Sequence, residues 1–206
     1  MSHIVLLGDS TFDNAAYVPK GRAVIDHLRE LMPRGWKATL LAVDGSRIEG
    51  VHEQLRRLPA DASHVALSVG GNDLLAESAV LARPAGTVGQ AVLMLAEVRS
   101  RFEAGYARVV EAVAALGRPA VACTVYEPRF PDPAQRAAAA AALGIFDDAV
   151  VRVARRSGVP TLELRSICSE DSDFANPIEP SSAGGRKIAA AILEAFGAMA
   201  DRRPEP

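Results

Sequence analysis

The sequence predicts an α/β protein built on one parallel sheet with helices on both faces. Two observations carry that prediction. Five short apolar runs, each closed by Gly, Asp, Pro or polar residues, recur along the chain, and longer segments with apolar residues at intervals of three and four separate them. Nearly continuous apolar runs of this length suit strands buried on both faces, as parallel strands are. Alternation of strand and helix then requires right-handed crossovers and a doubly wound sheet. Ligands of such sheets bind beyond the carboxyl ends of the strands.

The first strand is expected in HIVLLGDS (3–10), followed by a helix in RAVIDHLRELM (22–32) with Val24, Ile25, Leu28 and Met32 on one stripe. ATLLAVDG (38–45) is the second strand. SRIEGVHEQLRRL (46–58) is the next helix, with Ile48, Val51, Leu55 and Leu58 in register. HVALSVGGND (64–73) is the third strand. From Thr87 to Leu116 apolar residues keep helical spacing through Val88, Val92, Leu95, Phe102 and Val109, with Gly105 as the expected point of any break. PAVACTVYEP (119–128) is the fourth strand and PTLELRSI (160–167) the last. Helices over 132–158 and 182–196 start at Pro133 and Ser182. No repeat or linker divides the chain, so residues 1–200 are expected to form one domain and 201–206 a frayed tail.

At 206 residues the chain is long enough to bury one substantial core. A formal net charge of -2 gives no electrostatic reason to expect nucleic acid or an anionic membrane as a partner. No stretch approaches the roughly 18 uncharged apolar residues of a membrane span, and MSHIVLLG lacks the basic and long apolar regions of a secretion signal. A cytoplasmic location is the expectation. Cys123 and Cys168 lie in or beside apolar runs, so buried thiols are expected rather than a disulfide. The apolar stripe of 87–116 is long enough to serve a homodimer as well as a core.

The chemistry lies in the polar turns that close the strands. The first strand ends in Gly8-Asp9-Ser10, the second in Asp44-Gly45-Ser46, and the third in Gly70-Gly71-Asn72-Asp73. All three turns converge on one edge of the sheet. A serine there has its hydroxyl at the mouth of the crevice, and nearby backbone N–H groups favour developing negative charge. Glycine lets the backbone approach a substrate closely, and an Asn supplies a fixed N–H donor. Together they make a nucleophile with an oxyanion hole. Asp9, Asp13 and Asn14 beside Ser10, Asp73 beside Asn72, and Tyr126 and Glu127 after the fourth strand are the expected substrate contacts. If they line the pocket, it is small and polar and suits short acyl groups or an acetylated polar substrate rather than a long-chain lipid.

VLLGDS, DGS and SVGGNDLL resemble the first three sequence blocks of the SGNH (GDSL) hydrolases. IFDDAVVRVARRSGVPTLELRSI and EPSSAGGRKIAAAI resemble the family's closing helix, last strand and final helix, so the likeness runs almost end to end. It implies a flavodoxin-like doubly wound sheet of about five parallel strands, an α/β/α sandwich. It also implies hydrolysis of a small-molecule ester or acylated substrate by esterase, thioesterase or deacetylase chemistry. Ser10 would be the nucleophile, and the Ser10 amide, the Gly45 amide and the Asn72 side chain the oxyanion hole. The family uses neither metal nor organic cofactor.

The fourth block departs from the family. Its pattern is Asp-x-x-His-Pro, whereas the matching residues are Asn176-Pro177-Ile178-Glu179-Pro180. In one reading Glu179 is the general base, its pKa raised from the ordinary value of about 4.3 by burial, with Asn176 orienting the carboxylate. In a second, Asp171 or Asp173 contributes from an acidic rim, whose spacing to Glu179 matches no metal loop. In a third, the protein is a noncatalytic SGNH-like binder. None of the histidines stands in for the missing base directly. His3 and His64 begin strands at the opposite edge, and His27 and His52 fall in helices; His52 is the one to test, because its helix starts at the site edge.

Overall fold

The protein is described by a computed structural model over residues 2–200; the expected frayed tail, 201–206, lies outside the described residues. Five strands, β1 (His3–Gly8), β2 (Lys37–Leu40), β3 (His64–Ser68), β4 (Ala120–Cys123) and β5 (Thr161–Leu162), form one parallel sheet in the order β2-β1-β3-β4-β5. This is the doubly wound order whose switch point lies between the first and third strands. Ser10 follows β1 and Asn72 follows β3, so both stand at that switch point.

Alternate residues of the central strands enter two separate cores, as the period of two requires. Val5, Leu7, Val65 and Leu67 face α2 (Val51–Arg56), α4 (Val88–Ala114) and α5 (Pro133–Arg156). Ile4, Leu6, Ala66 and Val121 face α1 (Val24–Leu31) and α7 (Ser182–Ala200). The two long helices start on side-chain caps. Thr87 Oγ1 accepts the Gln90 N–H at 3.1 Å, and Asp132 Oδ1 accepts the Gln135 N–H at 2.8 Å with Pro133 in the first turn. α4 runs unbroken through Gly105. Among the described residues no helix is long and apolar enough to cross a membrane.

The long helices outreach the sheet. β1 spans roughly 20 Å, whereas α4 and α5, at 27 and 24 residues, span about 40 and 36 Å. Burial begins only at Val98 in α4 and Leu143 in α5. The first ten residues of each helix therefore stand beyond the carboxyl edge, and the start of the apolar stripe of α4 is left bare there, with Val88 82% and Val92 54% exposed.

Three segments differ from the sequence reading. Residues 163–167, expected as strand, turn into the short helix α6 (Leu164–Ile167), because Thr124 Oγ1 accepts the Leu164 N–H at 2.9 Å and draws the chain off the sheet. Past Gly70 the chain forms a further helix, α3 (Gly71–Glu77), and a 3-10 turn over Ser78–Ala82. Before α7 lies an antiparallel ribbon of β6 (Phe174–Asn176) and β7 (Glu179–Pro180). Cys123 and Cys168 are buried free thiols.

Candidate active site

Ser10 is lifted to the mouth of the crevice by a turn that begins where β1 ends. Gly8 has φ +132°, and a Cβ on it would fall 1.7 Å from the Ser68 carbonyl oxygen, so only glycine lets β1 reach β3 there. The Asp9 N–H donates to Ser68 O at 3.0 Å, and the Phe12 and Asp13 amides return to Asp9 O. Asp9 Oδ1 accepts the Thr11 N–H at 3.1 Å and braces the turn around Ser10. Gln54, buried on α2, clamps Gly8 from both sides: it accepts the Gly8 N–H at 2.7 Å and donates to Gly8 O at 2.8 Å. Sequence reasoning missed Gln54, whose only trace is a polar residue on an otherwise apolar helix face.

Opposite Ser10 stands Glu179. The Ser10 hydroxyl donates to Glu179 Oε1 at 3.0 Å, with the two residues 7% and 5% exposed. Glu179 Oε2 is also buried and has no hydrogen-bond partner among the described residues. Burial is the chief cause that pushes the Glu179 carboxyl up to about 7; the bond from Ser10 opposes it, while Asp44 and Asp9 add repulsion.

The β6–β7 ribbon holds Glu179 there. Asn176 Oδ1 accepts the N–H groups of Ile178 and Glu179 at 2.9 and 3.0 Å, so Asn176 shapes the turn backbone instead of touching the carboxylate. The Tyr126 hydroxyl donates to Ile178 O at 2.7 Å. Asn14, fully buried, donates through Nδ2 to Pro180 O at 3.1 Å and accepts the Val24 N–H at 2.9 Å. Asn14 therefore spans the turn after β1 and the ribbon, with both ends of its amide engaged.

The other expected residues divide between site and scaffold. Asn72 lines the cleft, and one N–H of its side chain donates to Ser46 O at 3.0 Å, joining the third loop to the second. Gly45 sits in that second loop at φ +74°. Neither the Ser10 nor the Gly45 amide has an acceptor among the described residues. Asp13 Oδ2 accepts the Asp44 N–H at 3.0 Å and Asp73 Oδ2 the Ile48 N–H at 3.0 Å, so both carboxylates tie loops together. Asp9 and Tyr126 line the cleft, whereas Glu127 lies off it beside Arg129. Of the acidic rim, Asp171 pairs with Arg129 and Arg136, and Asp173 with Lys187 at 2.7 Å. None of the four histidines lines the cleft: His3 bonds Asp61 and Thr39, His64 stacks on Trp36, His27 meets Ser182, and His52 stays on α2. Among the described residues no group of three His, Cys, Asp or Glu is placed to hold a metal ion.

The cleft corrects the expectation of a small polar pocket. It encloses about 630 Å³, and apolar side chains from α3, α4 and α5 form most of its wall. The overhanging start of α5 bounds that volume on one side and α3, the 3-10 turn and Leu95 and Val98 of α4 on the other, and the strand-end loops supply its floor.

Solved structures of the same fold include an extracellular lipase from Streptomyces rimosus, 15% identical with a TM-score of 0.70 over 95% of this chain and 100% of that one. The acetyl xylan esterase AlAXEase is 16% identical, with a TM-score of 0.66 over 94% and 98% of the two chains. The esterase EstA from Pseudoalteromonas sp. is 12% identical, with a TM-score of 0.62 over 98% and 100%. Among curated proteins no sequence matches this chain. The sequence pattern of the GDSL-like lipase/acylhydrolase family, in contrast, matches residues 6–187, from β1 into α7. With nearly the whole described fold inside that match, the chain belongs to the GDSL-like lipase/acylhydrolase family.

Proposed function

We propose that the protein hydrolyses carboxylic esters through an acyl-enzyme on Ser10, with Glu179 as general base. The observation that carries the reading is the buried 3.0 Å hydrogen bond from the Ser10 hydroxyl to Glu179 Oε1. A carboxyl held near 7 is matched to proton transfer at neutral pH, which an ordinary glutamate is not. In the first step Ser10 Oγ bonds to the ester carbonyl carbon while its proton passes to Glu179. The resulting oxyanion meets the Ser10 and Gly45 amides and the second N–H of Asn72. Collapse breaks the bond to the alcohol oxygen, which leaves with the proton from Glu179. Water then attacks the acyl-serine, giving its proton to Glu179 and, through it, to Ser10 Oγ.

The test is turnover of p-nitrophenyl esters by the wild type, Ser10→Ala and Glu179→Gln. Ser10→Ala is expected to fall to background, and Glu179→Gln to lose about 10²- to 10⁴-fold, the usual contribution of a general base. Turnover retained by Ser10→Ala excludes the nucleophile. Glu179→Gln as active as wild type excludes the base. Wild type that neither turns over esters nor reacts with a fluorophosphonate is a noncatalytic binder.

A further inference from the structure

We propose that the substrate's acyl group is an extended aliphatic chain of about eight or more carbons, seated between the overhanging start of α5 and the wall made by α3, the 3-10 turn and Leu95 and Val98 of α4, with Ala138 and Ala142 setting the length accepted. This rests on the ester hydrolysis reading and names the substrate class of that site.

The cleft starts at Ser10 and Glu179 and rises between α5 on one side and α3, the 3-10 turn and α4 on the other. Leu95 and Val98 of α4 and Leu81 of the 3-10 turn form one wall, and Ala138, Ala142 and Phe146 of α5 the other. Ala138 and Ala142 are one turn apart and so share a helix face, as do Ala142 and Phe146. Two successive alanines there leave open the space that larger side chains would fill. A volume of about 630 Å³ lies within the range that accommodates ligands far larger than acetate. With an acetyl group on Ser10 most of that apolar wall would remain against water. A long chain removes it from water, and each methylene buried favours binding by about fourfold, the equivalent of about 0.8 kcal/mol. The same arithmetic argues against a polar acyl group, because the wall offers it few partners beyond the floor. The acyl chain is the occupant indicated because its carbonyl is fixed at Ser10, where the cleft begins.

The experiment compares kcat/KM for p-nitrophenyl acetate, butyrate, octanoate and decanoate, all below their aggregation limits. Octanoate is expected to exceed acetate by about 100-fold or more, a discount from the fully buried limit. Ala142→Phe and, separately, Ala138→Phe are expected to lower the octanoate-to-acetate ratio at least tenfold, with thermal melts confirming that each variant folds. A second arm needs no turnover: calorimetric titration of Ser10→Ala with decanoate and with acetate. Decanoate is expected to bind and acetate not, and Ala142→Phe in that background weakens decanoate at least tenfold. Acetate favoured over octanoate, or a ratio unmoved by both alanine variants, overturns the proposal while leaving ester hydrolysis intact. Decanoate binding without turnover of any ester overturns the hydrolase and keeps the acyl site; no turnover and no binding overturns both.

Discussion

At Glu179 two opposed effects act on one carboxyl. Removal from water favours the protonated form, the hydrogen bond from Ser10 favours the carboxylate, and burial wins, leaving a group that titrates near 7. Only the ionised form can take the serine proton. With Glu179 as the proposed base, the rate of ester hydrolysis is expected to rise with pH along a one-proton limb centred near 7 and to level off above it. A pH–rate profile of wild type and Glu179→Gln checks this, and a limb that survives in Glu179→Gln assigns it to another group. Asp9 sharpens the assignment, because it too is buried, is held at about 7, and repels the charge on Glu179. Asp9→Asn keeps an oxygen for the Thr11 amide but removes that repulsion, so the limb is expected to move to lower pH. An unmoved limb would mean that Asp9 does not act on the base. Sequence pattern locates Ser10 and Glu179 because each sits at a fixed place relative to a strand or helix end. The contacts of Asn14 and Asn176 were not legible there, since each engages backbone groups whose position depends on how distant segments meet.

The β6–β7 ribbon does at the level of an element what the turn after β1 does for Ser10. It is too short to be stable alone, and a two-stranded hairpin in water is marginal at best. Asn176 within the ribbon and Tyr126 from beyond β4 hold its turn, and Asn14 from beyond β1 holds its second strand. Asn176→Ala removes the acceptor of two backbone N–H groups and is expected to destabilise the protein by about 1–3 kcal/mol. It is also expected to lower kcat more than the loss of folded protein explains, as Glu179 drifts from Ser10. Asn176→Asp retains the acceptor oxygen and should restore most of that rate. Denaturant melts with parallel kinetics decide the matter, and Asn176→Ala with unchanged kcat would show that the ribbon needs no cap to place the base. Neither this ribbon nor α3 was readable from the sequence. Both are short, neither shows a clear period of two or 3.6, and tertiary hydrogen bonds decide their shape.

For the whole molecule, the parallel sheet follows from patterning that the sequence displays openly, because its central strands bury both faces and every crossover must return on one hand, whereas the flavodoxin-like arrangement of the strands is implied by the family resemblance. The shape of the cleft does not follow in that way. The Thr87–Leu116 stripe reads from the sequence as serving a core or a homodimer, yet its first ten helical residues overhang the sheet, and of them Leu95 lines the cleft. That depends on the ratio of helix to strand length, and the strands are shorter than their apolar runs suggest. The site also leaves a mark on global stability. Asp9, Asp147 and Glu179 are all buried, and desolvation is the leading cause that holds each at about 7; Arg165, 3.1 Å from Asp147, offsets only part of it. In the unfolded chain these carboxyls ionise near 4. Between about pH 4 and 7 the unfolded state therefore binds fewer protons than the folded one, so stability is full below that window and declines as pH rises through it. Above 7 the loss is complete and the curve flattens. If the three groups together remove about 3 kcal/mol or more, the melting temperature falls by roughly 6–12 °C between pH 5 and 8. Calorimetric melts across that range test this. Glu179→Gln, which keeps the burial and removes the charge, is expected to melt higher than wild type at pH 8 and to lose most of that advantage at pH 5. A wild type that gains stability from pH 5 to 8 would mean that these carboxyls are stabilised as anions in the folded protein, which is the opposite of what their burial requires.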